Sequence, residues 1–424
     1  MKIDAPPSGR QEFIGDRDRR PRIVYIHQYY QAPEERRGSG TRSHEFAKRL
    51  GAQGFDVHIV TSERDATARK GWSSEARDGF TVHRLSVPYA HEMSYARRAW
   101  AFVQFARISG FYARRLRGDL IFATSTPLTV IVPAIIARIW RRTPQVFEVR
   151  DLWPELPIAL GVLRGKLPIA AARWLEKVAY RSSQHVVALS PGMKVGIERA
   201  GVSPDRVTVI PNAADLDLFE QRRSGTNLWL ETRPELSDRP LIAYCGTLNR
   251  LNGVEYLVRV AAHARKLDPE VAFVVVGSGR ERSMIESLAK RLGVANSNFY
   301  LYDRVSKNDM PQVMDAASVT TSLFIPLKEM ESNSANKFFD GLAAGKPVAI
   351  NYGGWQKDLL ESSSAGIALS PTDYEAAARD LIALARDTSR AEQLGRNARH
   401  LAQQSFSRDA LANELIAVFR KLLR

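Results

Sequence analysis

The stretch "LIAYCGTLNRLNGVEYLVRVAAHARKLDPEVAFVVVGSG" (Leu241–Gly279) carries two hydrophobic periods in one short window. "LIAYC" and "VAFVVV" are unbroken apolar runs of strand length. Between them, "GVEYLVRVAAHARKL" repeats apolar residues at three- and four-residue spacing. The runs suit strands buried on both faces, and the middle suits an amphipathic helix. Strand–helix–strand at this spacing predicts a parallel pair in a doubly wound α/β sheet.

The same alternation extends to the C-terminal side. "NFYLYDR" and "SVTTSLFI" read as strands, with helices at "ERSMIESLAKRLG" and "KNDMPQVMDAA". The segment "ESNSANKFFDGLAAGKPVAI" (Glu331–Ile350) reads as a helix starting near Ser334 that runs into a buried strand, and "GIALS" closes the set. On the N-terminal side, "RIVYIHQ", "FDVHIVTS", "GDLIFATS", "PQVFEVRD", "QHVVALS" and "DRVTVIPN" give a second series of strands. A polar stretch around residue 225 separates the two. The expected architecture is therefore two doubly wound, Rossmann-like α/β domains facing each other across a cleft. Residues 1–20 are a mobile polar lead-in, 21–225 the first domain, 226–404 the second, and 405–424 a terminal amphipathic helix. Ligands of such sheets bind beyond the carboxyl ends of the strands, so two sheets suit the joining of two substrates.

Composition narrows the class. The chain has 424 residues, 44% hydrophobic and 25% charged, which is globular. Its single cysteine, Cys245, excludes an internal disulfide framework and a cysteine-based zinc cluster, and fits a reducing compartment. The N-terminus has no apolar core of a secretory signal. The longest apolar stretch, "LTVIVPAIIARIW", is too short to span a bilayer and contains Pro133 and Arg138. Net charge is +15, nearly all of it within residues 1–225. That half is expected to face an anionic partner.

Several loops carry chemistry. Gly38 and Gly40, followed by Arg42, sit between the first strand and the first helix, where glycines let backbone N–H groups approach an anion; a plain flexible loop is the other reading. "VFEVRDLWPELP" ends a strand with Glu148, Arg150, Asp151, Trp153 and Glu155. There an arginine can hold an anion and an acid can take a hydroxyl proton, or the charges simply pair. Gly277 and Gly279 with Arg280, and Gly246 with Thr247, form strand-to-helix turns that suit phosphate or ordinary turn chemistry. In the Glu331–Ile350 segment, Asn336, Lys337 and Asp340 share one helix face. A lysine in a first turn opposes the helix dipole, so a diphosphate makes sense of Lys337, with Asp340 accepting from a ribose. A simple Lys337–Asp340 pair is the alternative. The eight histidines show no metal-ligand spacing.

Together "GSGTRSHEFAKRL", "STP", "EVRDLWPE", "VVALSPGM", "VIPNAADLDLF", "VVGSGRER" and "NKFFDGLAAGKPV" resemble the family 4 glycosyltransferases of GT-B fold, and most the bacterial polysaccharide and O-antigen enzymes of "RDLWP" type. The resemblance covers the chain from about Pro21 to its end. It implies retaining, metal-independent transfer of a hexosyl or N-acetylhexosaminyl group from a nucleotide diphosphate sugar, of UDP type, with no cofactor. It implies a donor site in the second domain (Gly246, Thr247, Gly277, Gly279, Arg280, Ser332, Asn333, Asn336, Lys337, Asp340) and an acceptor side in the first (Gly38, Gly40, Arg42, Glu148, with Arg150 and Asp151 positioning the acceptor). It also implies that the last helix crosses back to the first domain. Four positions depart from the family pattern. Ser332 stands where the first of two paired acids is usual, Thr247 and Asn252 replace an arginine and a lysine, and Arg150 replaces a histidine. Lys337 compensates, with Arg280.

"YARRAWAFVQFARISGFYARRLRG" (Tyr95–Gly118) mixes Trp100, Phe102, Phe105 and Phe111 with six arginines. Such a helix suits an anionic membrane interface, or a core helix with a solvated basic end. With the resemblance, it implies a glycan or polyprenyl-diphosphate-linked acceptor and a cytoplasmic protein peripheral at the inner face of the plasma membrane. A nucleotide-sugar epimerase and a non-catalytic nucleotide-sugar or polyanion binder remain alternatives. No nucleic-acid reading motif is present.

Overall fold

The computed structural model describes residues 19–33, 42–63, 71–87, 95–125, 127–139, 141–220 and 227–424. The first unit is one sheet of eight strands: β1 (Arg22–Ile26), β2 (Asp56–Glu63), β3 (Trp72–Arg77), β4 (Phe80–Ser86), β5 (Leu120–Thr124), β6 (Gln145–Val149), β7 (His185–Ala188) and β8 (Val207–Val209). Their order is β3–β4–β2–β1–β5–β6–β7–β8. Every pairing is parallel except β3 with β4.

Strands β5, β6 and β7 are buried along their whole length, as a sheet covered on both faces requires. One face packs against α1 (Arg42–Ala52) and the terminal helix Arg408–Leu423, through Phe46, Leu50, Leu415 and Phe419. The Phe419 ring lies 5.2 Å from that of Phe122 on β5, so the last helix returns to the first sheet. The other face carries α2 (Tyr95–Arg115), α3 (Ile131–Arg138) and the helices Lys166–Ser182 and Pro191–Arg199.

The β3–β4 hairpin was not expected from the sequence. Its two turn residues, Asp78 and Gly79, have φ of 46° and 85°. Asp-Gly with both angles positive is the turn that matches strand twist, so "RDGF" held the signal.

The second sheet contains β9 (Leu241–Cys245), β10 (Ala272–Val276), β11 (Phe299–Tyr302), β12 (Val319–Ser322), β13 (Val348–Ile350) and β14 (Gly366–Ala368), all parallel, in the order β11–β10–β9–β12–β13–β14. The order reverses between β9 and β12, and in the first sheet between β1 and β5. Crevices open at such reversals, beyond the carboxyl ends of the strands.

The chain crosses between units after β8 and again before the terminal helix. There the Ala214 N–H donates to the Phe406 carbonyl at 2.8 Å. The Asp215 carboxylate binds Lys307 and, at 3.0 Å, Arg408. Burial would raise the Asp215 pKa, but the two cations outweigh it and hold the group at about 2. The unit boundary read near residue 225 and residues 1–18 of the lead-in lie outside the described residues.

Among the described residues no helix is long and apolar enough to cross a membrane. On α2, Trp100 and Phe111 face solvent, 62% and 55% exposed. Phe105, read as part of the interfacial set, is instead buried in the core, and Phe102 is half-buried against Tyr29. Val103 and Ile108 complete the exposed stripe at helical spacing.

Candidate active site

The reversal in the second sheet is where Lys337 lies. Helix Asn336–Ala344 follows β12 and points its first turn at the crevice. Its N-cap, Ala335, supplies no side-chain cap, and no acid stands in the first turn. Helix N-terminal N–H groups and an added cation therefore share one place.

The helix begins at Asn336, two residues beyond the position expected from the sequence. Ser334 explains the delay. Its Oγ accepts from the Asn212 N–H at 3.1 Å, and its carbonyl accepts from the Asn212 side-chain amide. These bonds hold the approach to the helix extended and tie it to the first unit.

The Lys337 ammonium donates to Asn252 Oδ1 at 2.7 Å. It sits 5.4 Å from the ring centroid of Tyr244, near the end of β9, and 4.9 Å from that of Phe324, just beyond β12. No carboxylate lies within ion-pair distance of it among the described residues, so the alternative of a simple Lys337–Asp340 pair is not formed. Burial pulls its pKa from the ordinary 10.5 down to about 7. Asn252 occupies the position where the family pattern carries a lysine, so the charge missing from that loop is brought to the same spot by the facing helix. Asp340, one turn deeper, projects its field onto the Cys245 thiol, which burial pushes up to about 12, and onto Arg408.

Gly246 closes this corner. A Cβ there would stand 3.6 Å from the Lys337 Cε and 3.2 Å from the Tyr244 hydroxyl. Thr247 is exposed, and its carbonyl accepts from Asn252 Nδ2 at 2.6 Å and from the Tyr244 hydroxyl at 3.0 Å. Gly277 and Gly279 have a different cause from the phosphate approach read in the sequence. A Cβ on either would overlap a backbone carbonyl of the neighbouring loop, that of Gly246 or Leu248. The two loops lie against each other, joined by Leu248 N–H to Ser278 O at 2.9 Å. Arg280 is exposed, just ahead of helix Arg282–Arg291.

Ser332 and Asn333 lie at the seam between the units. The Ser332 carbonyl accepts from Ser190 Oγ at 2.6 Å, and its side chain packs onto Gly192 at the start of helix Pro191–Arg199. The Asn333 carbonyl accepts from Trp355 Nε1 at 2.8 Å.

On the first unit, two of the acceptor-side residues need correction. Glu148 is fully buried, paired with Arg42 at 2.9 Å and accepting from Thr124 Oγ1 at 2.6 Å. Arg42 spends its other donors on the carbonyls of Ile210 and Pro211. Both are committed to partners inside the first unit, and together they clamp α1, β6 and the end of β8. Arg150 and Asp151 are half-buried at the end of β6, with the Arg150 N–H donating to Ser125 Oγ at 2.8 Å. From there the turn reaches the other unit, since Leu156 packs on the second unit's core. Gly38 and Gly40 lie outside the described residues.

Sequence reasoning passed over His27 and Gln28, reading them as strand. They follow β1 at the first sheet's reversal, both almost fully buried. The Gln28 side-chain oxygen has no hydrogen-bond partner among the described residues. Their place directly after a buried strand was the available signal.

The comparisons with known proteins give the family. Residues 37–213 match the family model "Glycosyl transferase 4-like domain", and residues 229–401 match "Glycosyl transferases group 1". The two models together cover most of the chain, so it belongs to the glycosyltransferases of the family 4 type, and its two sheets are the GT-B fold. Alpha-maltose-1-phosphate synthase of Mycolicibacterium smegmatis is 24% identical over 296 residues, 66% of this chain and 73% of its own. The putative colanic acid biosynthesis glycosyl transferase WcaI of Escherichia coli is 23% identical over 281 residues, 62% and 68% of the two chains. Among solved structures, sucrose-phosphate synthase of Thermosynechococcus elongatus superposes with a TM-score of 0.78 at 19% identity, covering 95% and 99%. Anabaena HepE in complex with UDP and glucose gives 0.70 at 18% identity, covering 95% and 100%.

Proposed function

We propose that this glycosyltransferase is a retaining, metal-independent enzyme that moves a hexosyl or N-acetylhexosaminyl group from a UDP-sugar to a lipid-linked glycan acceptor, in surface polysaccharide synthesis of the "RDLWP" kind. One observation carries the donor side: a lysine with no carboxylate partner among the described residues is held at the sheet reversal beside an uncapped helix start. A nucleotide diphosphate supplies the missing anion. HepE, which was solved with UDP and glucose, supports the choice of base.

In this reading the diphosphate lies on the helix start at Asn336 and Lys337, and Asp340 accepts from the ribose hydroxyls. The small Gly246 lets the diphosphate come close to the ammonium. As the anomeric C–O bond breaks, negative charge collects on the β-phosphate. Fixed donors in a poorly solvated corner stabilise that charge more than they stabilise the ground state. The acceptor hydroxyl bonds to the anomeric carbon from the same face and gives its proton to a phosphate oxygen. Arg150 and Asp151 position the acceptor from the first unit. The exposed aromatic and basic face of α2 rests on the anionic inner leaflet, where a polyprenyl-diphosphate-linked acceptor is held.

Thermal shift against UDP-, GDP-, dTDP- and ADP-sugars tests the donor assignment. A UDP-sugar alone is expected to raise the melting temperature strongly. NMR of the anomeric configuration of the product tests retention, and a product of inverted configuration refutes it. Full turnover after exhaustive chelation is expected.

A further inference from the structure

A second cationic site lies far from the cleft. At the end of α2, Phe111, Arg114, Arg115, Arg117 and Arg141 line an open cavity of about 650 Å³. The next strands begin at Leu120 and Gln145, so the cavity stands at the amino edge of the parallel sheet, opposite the substrate crevice.

The side chains of Arg115, Arg117 and Arg141 have no acidic partner among the described residues. The nearest acid in sequence, Asp119, already binds Arg19 at 2.8 Å and the Arg22 N–H at 2.7 Å. The end of α2 is also satisfied without them, since Arg22 donates to the Leu116 carbonyl at 2.8 Å. A favourable helix dipole would account for one cation at this end, but Arg141 belongs to a different segment. Arg117 further adopts φ of 53°, a left-handed angle that glycine or asparagine takes at lower cost. Local stability does not select arginine there.

The cavity continues the exposed stripe of α2. That stripe, with Trp100, Val103, Ile108 and Phe111, contains no acid. Helix Lys166–Ser182 covers the same face of the sheet and exposes Leu167 (84%) and Trp174 (65%) among basic residues. Among the described residues, nine of the twelve exposed large apolar side chains belong to this one helical layer or its turns. One broad face is therefore apolar and basic together, which matches a surface that is apolar inside and anionic at its boundary.

We propose that the arginine cavity is a headgroup site: it takes the phosphate of an anionic phospholipid and anchors the α2 layer to the membrane. Guanidinium groups from two segments converge on one anion, while Phe111 enters the acyl boundary. This rests on the peripheral-membrane reading above.

The test uses the full chain and flotation with phosphatidylcholine vesicles, with and without phosphatidylglycerol. Three variants are compared: Arg115→Ala/Arg117→Ala/Arg141→Ala, the same positions changed to Lys, and a control of equal charge loss on the same layer, Lys166→Ala/Lys177→Ala/Arg181→Ala. Each basic residue near an anionic surface contributes roughly five-fold to affinity, so both alanine variants weaken binding about a hundred-fold through charge alone. The cavity variant is expected to lose at least about ten-fold more than the control, and the lysine variant about ten-fold with its charge intact. If the alanine variant does not fold, the lysine variant decides. Equal losses in cavity and control variants, or a lysine variant that binds like the parent, overturn the headgroup site and leave peripheral binding standing. Parent protein that ignores both vesicle types overturns peripheral binding itself. A thermal shift with glycerol 1-phosphate but no vesicle binding overturns the lipid assignment in favour of a soluble phosphate ligand.

Discussion

Replacing Lys337 by methionine separates the donor role of this residue from any structural one, because the two predict opposite signs. Burial lowers the Lys337 pKa from 10.5 to about 7. Each unit is about 1.4 kcal/mol, so the cost of keeping the charge in the folded protein has a ceiling of about 5 kcal/mol. The group is half-buried, and residual water reduces this to roughly 2 kcal/mol near neutral pH. The sign follows from linkage. Between about pH 7 and 10.5 the unfolded chain holds the proton more firmly than the folded one. Stability of the parent therefore rises with pH through that window, and the full cost is present below it. Methionine removes the charge, keeps the volume and flattens this slope. The free Lys337→Met protein is expected to melt higher, by roughly 4–8 °C for a transition of a unit this size. The same variant is expected to lose the UDP-sugar thermal shift and to turn over about 100- to 1,000-fold more slowly, as when a transition-state donor is removed. Differential scanning fluorimetry at pH 6.5 and 9, with and without donor, reads both effects. A variant that melts lower than the parent and keeps its donor shift would refute the reasoning.

Other sites give further outcomes. Asp215, held at about 2 against an ordinary 3.8, contributes about 2.5 kcal/mol that is present above pH 4 and lost as pH falls toward 2. Asp215→Asn is expected to abolish that acid limb and, by removing the carboxylate that Arg408 and Lys307 share, to lower urea stability at pH 7 by about 3 kcal/mol. Arg42→Ala strands the buried Glu148 charge and is expected to cost about 3–5 kcal/mol, whereas Glu148→Gln keeps the acceptor KM. An acceptor KM raised many-fold in Glu148→Gln would restore a binding role to that residue. Gly277→Ala drives a methyl into the Gly246 carbonyl, and displacement of the loop beside Lys337 is expected to weaken donor binding, read by calorimetry, alongside a stability loss of about 1–3 kcal/mol.

The strands were legible because a parallel sheet covered on both faces needs uninterrupted apolar runs, and "VAFVVV" or "VFEV" offer little else. The β3–β4 hairpin escaped because its outer strand, "WSSEAR", is an exposed edge with no apolar period. Helix Asn336–Ala344 and Lys337 stood out in the sequence because a lysine in a first turn is locally unfavourable and asks for a reason. The partner of Lys337 did not, because Asn252 lies 85 residues away in sequence and only the fold brings them together. Arg42 and Glu148 were misplaced for the same reason. A charged residue at a strand end reads alike whether it faces a cleft or a buried partner, and the deciding groups, the Ile210 and Pro211 carbonyls, are remote main-chain atoms. Phe102 and Phe105 were assigned outward because composition counts aromatics without phasing them. Trp100, Val103, Ile108 and Phe111 follow the helical period, and Phe105 falls between them.

The location of the cation on a helix has consequences for its chemistry. A lysine on the loop after β9 would reach the crevice on a mobile stem and relax toward water when the site is empty. Lys337 instead rises from a helix whose approach is fixed through Ser334 to Asn212, and Asn212 follows the Ile210 and Pro211 carbonyls that Arg42 grips. The position of the ammonium is thus set by the first unit as well as the second. Its surroundings, two ring faces and one amide oxygen, solvate it poorly, which is why its proton is loosely held. A poorly solvated cation responds strongly to an anion arriving nearby, and most strongly as charge on that anion grows. The cost of burying it in the free protein and the stabilisation proposed for a departing diphosphate are two measures of the same electrostatic environment. Weakening the Asn212–Ser334 tie would let the helix start relax, return water to the ammonium and diminish both together.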